Sequence, residues 1–303
     1  MIHLTDEAID GALRGADLLG TLRRAFIDFA KGDAGMQARV RTDAGAVKLS
    51  TLGAVWPAEG FAGAKVYTTV GGRFNFVIVL FSATTGEPLA TLGANAITRW
   101  RTAAVSVLAA KRFAPGSADT LAIFGTGVQA RAHLEAFARA FPLKSVRIVT
   151  RGDGGAFAAE ARRIAHCEAR VVPAREALDG AGLVVSATRS ATPVFDGRSL
   201  APGAFVAAVG SSRPDARETD DALLERATCV VVEWRRQSLR EAGDLVLADP
   251  AILGKVPVLE LGEALADERL AGRREGDVVL FKSVGVGIED VATAGLAWSR
   301  LRN

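Results

Sequence analysis

Cysteine, signal-like segments and long apolar runs are scarce or missing in this chain of 303 residues. Its two cysteines, Cys167 and Cys229, are far apart and outside any C-x-x-C spacing, which excludes a disulfide framework and a thiolate zinc site. No apolar run approaches the ~20 residues that span a bilayer, so we predict no membrane association. The acidic N-terminus does not resemble a secretory signal, and we expect a cytoplasmic protein.

Aromatic residues and clustered charge are scarce as well. Only 6% of the residues are aromatic, and the basic residues occur in pairs at most, although the net charge is +3. This pattern lacks the basic and aromatic interleaving of RNA-binding surfaces, so we predict no nucleic-acid partner. His3, His133 and His166 have no accompanying carboxylate cluster, and we therefore predict no metal site.

The chain does contain enough apolar sequence for about two domains. Apolar spacing predicts a helix over residues 5–30, and the glycine-punctuated runs of residues 37–92 are typical of an antiparallel sheet. An alanine-rich helix over residues 96–113 should end at Pro115-Gly116. From there on, short apolar runs alternate with helices, which indicates βαβ units and a parallel sheet.

These patterns predict an α/β fold in which a doubly wound parallel sheet domain, residues 114–285, is inserted into a mixed α+β domain. The mixed domain comprises residues 1–113 and 286–303, the latter containing a helix over 288–301. The predicted strands of the inserted domain are residues 120–124, 145–150, 169–172, 183–187, 205–209 and 228–233.

A glycine-rich turn joins the first of these strands to its helix. Gly125-Thr126-Gly127-Val128-Gln129-Ala130 has the pattern G-x-G-x-x-A. The first glycine permits the tight turn, the second lets a pyrophosphate approach the backbone, and the small last residue lets helix and strand pack closely. The helix N-terminus then faces the phosphates, so the turn predicts a dinucleotide site.

The residues after the second strand bear on the choice of dinucleotide. NAD enzymes place an acidic residue there for the ribose 2′-hydroxyl, whereas this chain has Thr150-Arg151. An arginine binds a 2′-phosphate in bidentate fashion, so we predict NADPH as the cofactor. Asp153 lies close enough in sequence to keep NADH open as an alternative.

Three cations of the N-terminal half, Arg41, Lys65 and Arg101, are candidates for an anion site. Lys65 interrupts an apolar strand, where a solvated lysine would be out of place. Arg101 begins the Arg-Thr-Ala-Ala turn of a long helix, where the helix dipole favours anions and a compensating anion is expected. Together with a dinucleotide domain, these cations suggest a pocket for a carboxylate.

Four motifs, spread over nearly the whole chain, resemble the ornithine cyclodeaminase/μ-crystallin family. They are residues 98–106 (Thr-Arg-Trp-Arg-Thr-Ala-Ala-Val-Ser), 125–129, 209–215 (Val-Gly-Ser-Ser-Arg-Pro-Asp) and 281–285 (Phe-Lys-Ser-Val-Gly). The resemblance implies a homodimer with a Rossmann domain inserted into a substrate-binding and dimerisation domain.

The resemblance also implies roles for single residues. Arg41 and Arg101 correspond to arginines that hold the substrate carboxylate, and Lys65 to the active-site lysine. Ser212 stands where cyclodeaminases carry a catalytic aspartate, as it does in the ketimine reductases of the family; we assign it a catalytic role with Lys65. Besides the fingerprint, Thr150 and Arg151, the predicted cofactor residues are Ala187, Thr188, Val209, Gly210, Lys282 and Ser283.

A serine supplies neither the charge nor the basicity of a carboxylate at neutral pH, which disfavours cyclodeamination. We therefore predict an NAD(P)H-dependent oxidoreductase that reduces a cyclic ketimine carboxylate, 1-pyrroline-2-carboxylate to L-proline, with piperideine-2-carboxylate to L-pipecolate beside it. In this hypothesis the arginines orient the carboxylate, Lys65 protonates the imine nitrogen, and Phe74 and Phe76 border the substrate ring.

Three alternatives stay open. An amino-acid dehydrogenase such as alanine dehydrogenase would show an ammonium-dependent rate. An ornithine cyclodeaminase would release ammonia from L-ornithine. A non-catalytic, μ-crystallin-like binding protein would oxidise no NADPH with any cyclic imine.

Overall fold

A computed structural model describes residues 1–271 and 274–302, which divide into two compact units. Unit 1 consists of Met1–Val105 and Gly285–Asn303, and unit 2 of Ser106–Val284. The boundary at Val105 lies N-terminal to the predicted boundary at residue 113. The functions assigned above to the two parts stay predictions.

The strands and helices follow one another in chain order with short connections. The strands are β1 (Ile2–Leu4), β2 (Gly35–Met36), β3 (Val40–Ala44), β4 (Val47–Trp56), β5 (Phe61–Val70), β6 (Arg73–Ser82), β7 (Pro88–Gly93), β8 (Thr120–Phe124), β9 (Ser145–Val149), β10 (Glu168–Val171), β11 (Leu183–Ser186), β12 (Phe205–Ala208), β13 (Ala227–Val232), β14 (Val258–Glu260) and β15 (Val278–Lys282). The helices are α1 (Asp6–Leu13), α2 (Leu18–Lys31), α3 (Asn95–Phe113), α4 (Val128–Ala140), α5 (Gly155–Ala165), α6 (Ala174–Leu178), α7 (Asp221–Arg226), α8 (Arg235–Glu241), α9 (Gly243–Val246), α10 (Pro250–Leu253), α11 (Leu261–Ala266) and α12 (Gly287–Arg302).

The predicted single helix over residues 5–30 is wrong, because the structure has two helices there, α1 and α2. Arg14 is extended and Gly15 has a φ of +70°, so the first helix ends at Leu13. Asp17 then begins α2 by accepting a hydrogen bond from the Gly20 amide at 2.9 Å. A carboxylate at this position satisfies an amide that the helix leaves without an internal partner.

The sheet of unit 1 has the order β1-β7-β6-β5-β4-β2, with β3 added to β4. Its pairs are antiparallel except that of β1 with β7. Helix α12 packs on β4, β5 and β6. It comes very close to β4, since a Cβ on Gly287 would lie 2.2 Å from the Gly53 carbonyl oxygen. Only glycine at position 287 permits this approach, which brings the first turn of α12 onto the sheet.

Unit 2 is built on a parallel sheet of order β10-β9-β8-β11-β12-β15-β13-β14. All residues of β8, β11, β12 and β15 are buried, as expected where layers of structure cover both faces of a sheet. The prediction of an α/β fold with a parallel, doubly wound sheet and a mixed second sheet is confirmed. The central strand β15, which the sequence analysis did not predict, joins the sheet between β12 and β13.

Candidate functional site

Lys65 lies on β5, on the face of the sheet that α12 covers. Its side chain is 2% exposed, and its Nζ lies 2.8 Å from Oδ1 and 2.7 Å from Oδ2 of Asp290 in the first turns of α12. The aromatic ring of Phe76, on the neighbouring strand β6, is centred 5.4 Å from the same Nζ. The predicted buried lysine is therefore present, and it is bound to a carboxylate of this chain.

Arg101 joins the same group of charges from α3. Its Nη1 donates to Glu289 Oε2 at 2.7 Å and its Nε to Asp290 Oδ1 at 3.1 Å, and the residue is 5% exposed. Gly285, with a φ of +74°, packs against the guanidinium, where a Cβ would lie 2.6 Å from Nη2. The anion expected opposite Arg101 is thus supplied by Glu289 and Asp290. We call Lys65, Arg101, Glu289 and Asp290 the charge cluster.

Two further arginines lie in the same unit. Arg41 on β3 is half-buried and pairs across the strands with Ser50 of β4, which pairs with Tyr67 of β5. Tyr67 follows Lys65 by two residues, so this register places Arg41 on the sheet face of Lys65, about 10 Å away at the backbone. Arg39, which the sequence analysis did not single out, donates from Nη2 to the Gly285 carbonyl at 2.7 Å.

Aromatic side chains adjoin the charge cluster on this face. Phe74 and Phe76 are stacked with ring centroids 5.7 Å apart, and Tyr67 lies 4.9 Å from Phe76. Phe74 remains 46% exposed, whereas Tyr67 is buried. An exposed aromatic surface thus lies beside a buried ammonium, an arrangement that would suit the apolar ring of a small charged ligand.

Burial and neighbouring charges act in opposite directions on Lys65. Burial, with the charges of Arg101 and Arg39, lowers the pKa of Lys65 to about 8, although Asp290 opposes this. Burial alone would raise the pKa of Asp290, but the charges of Lys65 and Arg101 hold it below its usual value. At neutral pH the pair is an ammonium and a carboxylate, and the ammonium releases its proton within reach of physiological pH.

Sequence reasoning missed Glu289 and Asp290. The available signal was an acidic pair in Gly287-Ile-Glu-Asp-Val-Ala, at the start of a helix that is otherwise apolar. Both side chains are 0% exposed. A buried lysine and a buried arginine require such counter-ions, because unpaired charges are costly to remove from water.

The predicted dinucleotide turn is formed in unit 2. It connects β8 to α4, next to β11, where the strand order reverses and open parallel sheets bind their ligands. Gly125 has a φ of +102°, and a Cβ there would lie 2.7 Å from the Ala187 carbonyl oxygen. A Cβ on Gly127, which precedes the first turn of α4, would meet nothing within 4 Å. A tight turn and an open helix N-terminus fit a pyrophosphate.

Thr150 and Arg151 follow β9 at the same edge of the sheet. Arg151 is exposed, and its Nη2 lies 3.5 Å from Ser190 Oγ in the segment after β11. Asp153 accepts a hydrogen bond from the Gly155 amide at 2.8 Å, at the start of α5. The carboxylate considered for the ribose of NADH is therefore engaged by the backbone, while the arginine faces solvent.

The segments after β11 and β12 are held together by a buried carboxylate. Glu218 Oε1 accepts from the hydroxyls of Ser186 and Thr188 and from the Thr188 amide, each at 2.7 Å. Its Oε2 accepts from the Gly210 amide at 2.6 Å. Ala187, Thr188, Val209 and Gly210, all predicted cofactor residues, thus lie in segments fixed by Glu218, which the sequence analysis did not identify.

The structure gives Lys282 a different environment from the predicted one. Its ammonium is fully buried, lies 2.8 Å from Asp244 Oδ2 and donates to the Ser211 carbonyl at 2.9 Å. A buried ammonium with these partners acts by fixing the backbone after β12 rather than by direct contact with a cofactor. Ser283 likewise donates to the buried Glu233 at 2.5 Å, and Ser212 is half-buried beside Ser211.

The remaining histidine of interest, His133, is a structural residue. Its ring nitrogens lie 2.7 Å from the Gln129 carbonyl and 2.9 Å from Ser106 Oγ, and burial lowers its pKa to about 4. Within the described ranges, no three His, Cys, Asp or Glu side chains are grouped as metal ligands would be. None of the helices in those ranges combines the length and apolar character needed to cross a bilayer.

Comparison with known proteins identifies the family. The model of the ornithine cyclodeaminase/mu-crystallin family matches residues 2–303. The chain belongs to this family. Ketimine reductase mu-crystallin of Mus musculus is 35% identical over 97% of this chain and 96% of its own length.

Two solved structures extend the comparison of the fold. That of a probable ornithine cyclodeaminase from Bordetella pertussis is 48% identical, with a TM-score of 0.96, over 99% of this chain and 97% of that one. That of a Thermococcus litoralis Δ1-pyrroline-2-carboxylate reductase in complex with NADH and L-proline is 26% identical, with a TM-score of 0.92, over 100% and 98%. The family assignment and the prediction of an oxidoreductase enzyme are confirmed.

Proposed function

We propose that this family member is an NADPH-dependent reductase of cyclic ketimine carboxylates, converting 1-pyrroline-2-carboxylate to L-proline and accepting piperideine-2-carboxylate. The observation that carries the proposal is a fully buried lysine, Lys65, paired with Asp290 beside Arg101 in a chain with an intact dinucleotide turn. The relatives named as ketimine and pyrroline-2-carboxylate reductases support the same reaction.

A carboxylate substrate is favoured by the charge balance around Lys65. The charge cluster itself is neutral, with two cations and two carboxylates. Arg39 and Arg41 add two positive charges to this unit, so four cations stand against two anions. The excess would attract one substrate carboxylate, and charge-assisted hydrogen bonds from Arg41 and Arg101 would orient it.

Lys65 would supply the proton of the reduction. When bound, the reduced nicotinamide supplies the hydride to the imine carbon. The Lys65 ammonium donates a proton to the imine nitrogen, so that the C=N double bond becomes a CH–NH single bond and Lys65 is left neutral. A pKa of about 8 suits this role, because the side chain is protonated at neutral pH and regains its proton readily from water.

Ser212 distinguishes reduction from cyclodeamination. Loss of ammonia from an amino acid requires a group that removes protons, and a serine hydroxyl is a weak base at neutral pH. The Bordetella relative carries the name of a probable cyclodeaminase, which makes this distinction worth testing directly. We assign Ser212 a hydrogen bond to substrate or to an ordered water.

The cofactor preference follows from Arg151 and Asp153. The exposed guanidinium of Arg151 would bind a 2′-phosphate, while Asp153 is hydrogen-bonded to the Gly155 backbone. The main cofactor residues would be Gly125 to Gln129 and Thr150. The segments at Ala187–Thr188, Val209–Gly210 and Ser283 would complete the site, with Lys282 acting through the backbone of Ser211.

A homodimer is supported by the outer face of the sheet in unit 1, opposite Lys65. Six apolar side chains on this face are each more than 40% exposed: Val40, Val47, Leu49, Val55, Val70 and Val77. Their register places them on neighbouring strands. An apolar sheet face of this extent is typical of a subunit interface. Sedimentation of the Val77→Lys variant as a monomer would support this assignment, and an unchanged dimer would oppose it.

The decisive experiment for the proposed activity compares three assays on the same preparation. NADPH oxidation is measured with five- and six-membered cyclic imino acids, with pyruvate plus ammonium, and ammonia release is measured with L-ornithine and NAD. We expect NADPH oxidation with the cyclic imines and formation of an equal amount of L-proline or L-pipecolate. An ammonium-dependent rate, ammonia release from ornithine, or no NADPH oxidation would favour one of the three alternatives instead.

A further inference from the structure

The acidic partner of Lys65 comes from a single element. Its cross-strand neighbours are apolar, Leu52 on β4 and Ile78 on β6. Asp290 of α12 contacts Nζ with both carboxylate oxygens, at 2.8 and 2.7 Å. Two contacts from one planar group restrict the ammonium to a narrow range of positions.

The other charged groups that face Lys65 act against its protonation. Arg101 reaches it from α3 and Arg39 from the segment before β3, and both are cationic. Glu289 is engaged by Arg101, and the neighbouring Tyr67 on β5 is neutral below about pH 10. Among the groups described around Lys65, Asp290 is the one that favours the charged form.

We infer that Asp290 is a positioning residue of the reduction, which fixes Lys65 in one orientation and keeps it as the ammonium that protonates the imine nitrogen. The inference rests on the proposed function, because it concerns the proton that the reduction consumes. It assigns to α12, the last helix of the chain, a part in the chemistry that none of the four sequence motifs indicated.

The experiment measures kcat/KM for the cyclic imine against pH in wild type, Asp290→Asn and Asp290→Glu. In wild type the rate should fall as the pH rises through about 8, where Lys65 loses its proton. Removing the opposite charge lowers the pKa of the lysine, so in Asp290→Asn this fall should move to lower pH by about one unit or more. Asp290→Glu should keep the wild-type pH dependence at a reduced rate.

A structural role for Asp290 would produce a different result. Asp290→Asn would then unfold at lower temperature and lose rate equally at all pH values, with the alkaline fall unmoved, and the inference would be wrong. If Asp290→Asn does not fold, Lys65→Arg carries the test. Because arginine stays protonated in this range, the alkaline fall should disappear from its residual rate. A fall that persists belongs to another group and overturns the inference.

A second readout separates this inference from the proposed function. The Nζ resonance of Lys65, followed by nitrogen NMR in the enzyme without substrate, should titrate at lower pH in Asp290→Asn than in wild type. Absence of imine reduction in wild type would contradict the proposed function alone. An unchanged titration in the variant would contradict the role of Asp290 alone.

Discussion

Each unit of this molecule contains one buried lysine–aspartate pair, and the two pairs differ in their surroundings. Lys65 and Asp290 approach to 2.7 Å in unit 1, and Lys282 and Asp244 to 2.8 Å in unit 2, with all four side chains at most 2% exposed. In unit 2, the Lys282 ammonium also donates to the Ser211 carbonyl. Oδ1 of Asp244 accepts from two amides, those of Glu218 and Thr219, and from the Thr219 hydroxyl.

The pair of unit 1 has no such ties to the backbone. Lys65 faces a second cation and an aromatic ring, and burial with that cation lowers its pKa to about 8. Asp290 divides its oxygens between Lys65 and Arg101. The comparison teaches that the pair alone does not indicate function: one pair fixes the loops of a nucleotide domain, and the other keeps a proton available.

The largest effect is expected for Lys65→Met. Loss of the proton donor should reduce kcat/KM for the cyclic imine by at least about 100-fold, since general acid catalysis contributes this much or more. Asp290 keeps Arg101 as a partner, so the variant should fold and bind NADPH with nearly the wild-type Kd, measured by fluorescence. Lys31→Met, at the exposed end of α2, is the control. A variant that retains activity would remove Lys65 from the chemistry.

Lys282→Met should affect stability first. The substitution leaves the Asp244 carboxylate buried without its counter-ion, which should lower the free energy of unfolding by about 3 kcal/mol or more, measured by urea denaturation. Lys144→Met removes an exposed ion pair with Asp119 and should change it by less than about 1 kcal/mol. Equal stability of the two variants would contradict a structural role for the Lys282 pair.

Arg41→Ala should weaken substrate binding without affecting the cofactor. Loss of one charge-assisted contact to the carboxylate should raise KM for the cyclic imine about 10- to 100-fold, with KM for NADPH unchanged. Arg73→Ala, on the opposite face of the same sheet, should leave both constants as they are. If both variants behave alike, Arg41 has no part in carboxylate binding.

The smallest change is expected in unit 2, at Arg151. Its substitution by alanine should raise KM for NADPH about tenfold while KM for NADH hardly changes, because only NADPH carries the 2′-phosphate. Arg175→Ala, exposed on α6, serves as the control. Equal effects on the two cofactors would show that Arg151 does not bind the phosphate.

Local patterns predicted much of unit 2. The strands β8 and β12 are short apolar runs bounded by turn residues, and the turn at Gly125 combines its glycines with the strand and helix that they serve. These features depend on neighbouring residues, so a single sequence contains them. The break between α1 and α2 was missed because the apolar spacing continues across it, and only the cap at Asp17 marks it.

The charge cluster was predicted only in part, because its halves are distant in sequence. The basic character of Lys65 in an apolar strand was visible, but its partner Asp290 lies 225 residues away. Glu218 was missed for a similar reason, since it contacts Ser186 and Thr188 from a later loop. Likewise, the burial of Lys282 depends on Asp244 and Ser211, which only the folded chain brings to it.

The most direct test of the account is a crystal structure of the enzyme with L-proline, the expected product. The account predicts that the proline carboxylate lies between Arg41 and Arg101 and that the ring nitrogen lies within hydrogen-bond distance of Lys65 Nζ, which retains its contact with Asp290. A proline bound away from these three cations, or a Lys65 that does not contact it, would contradict the central claim.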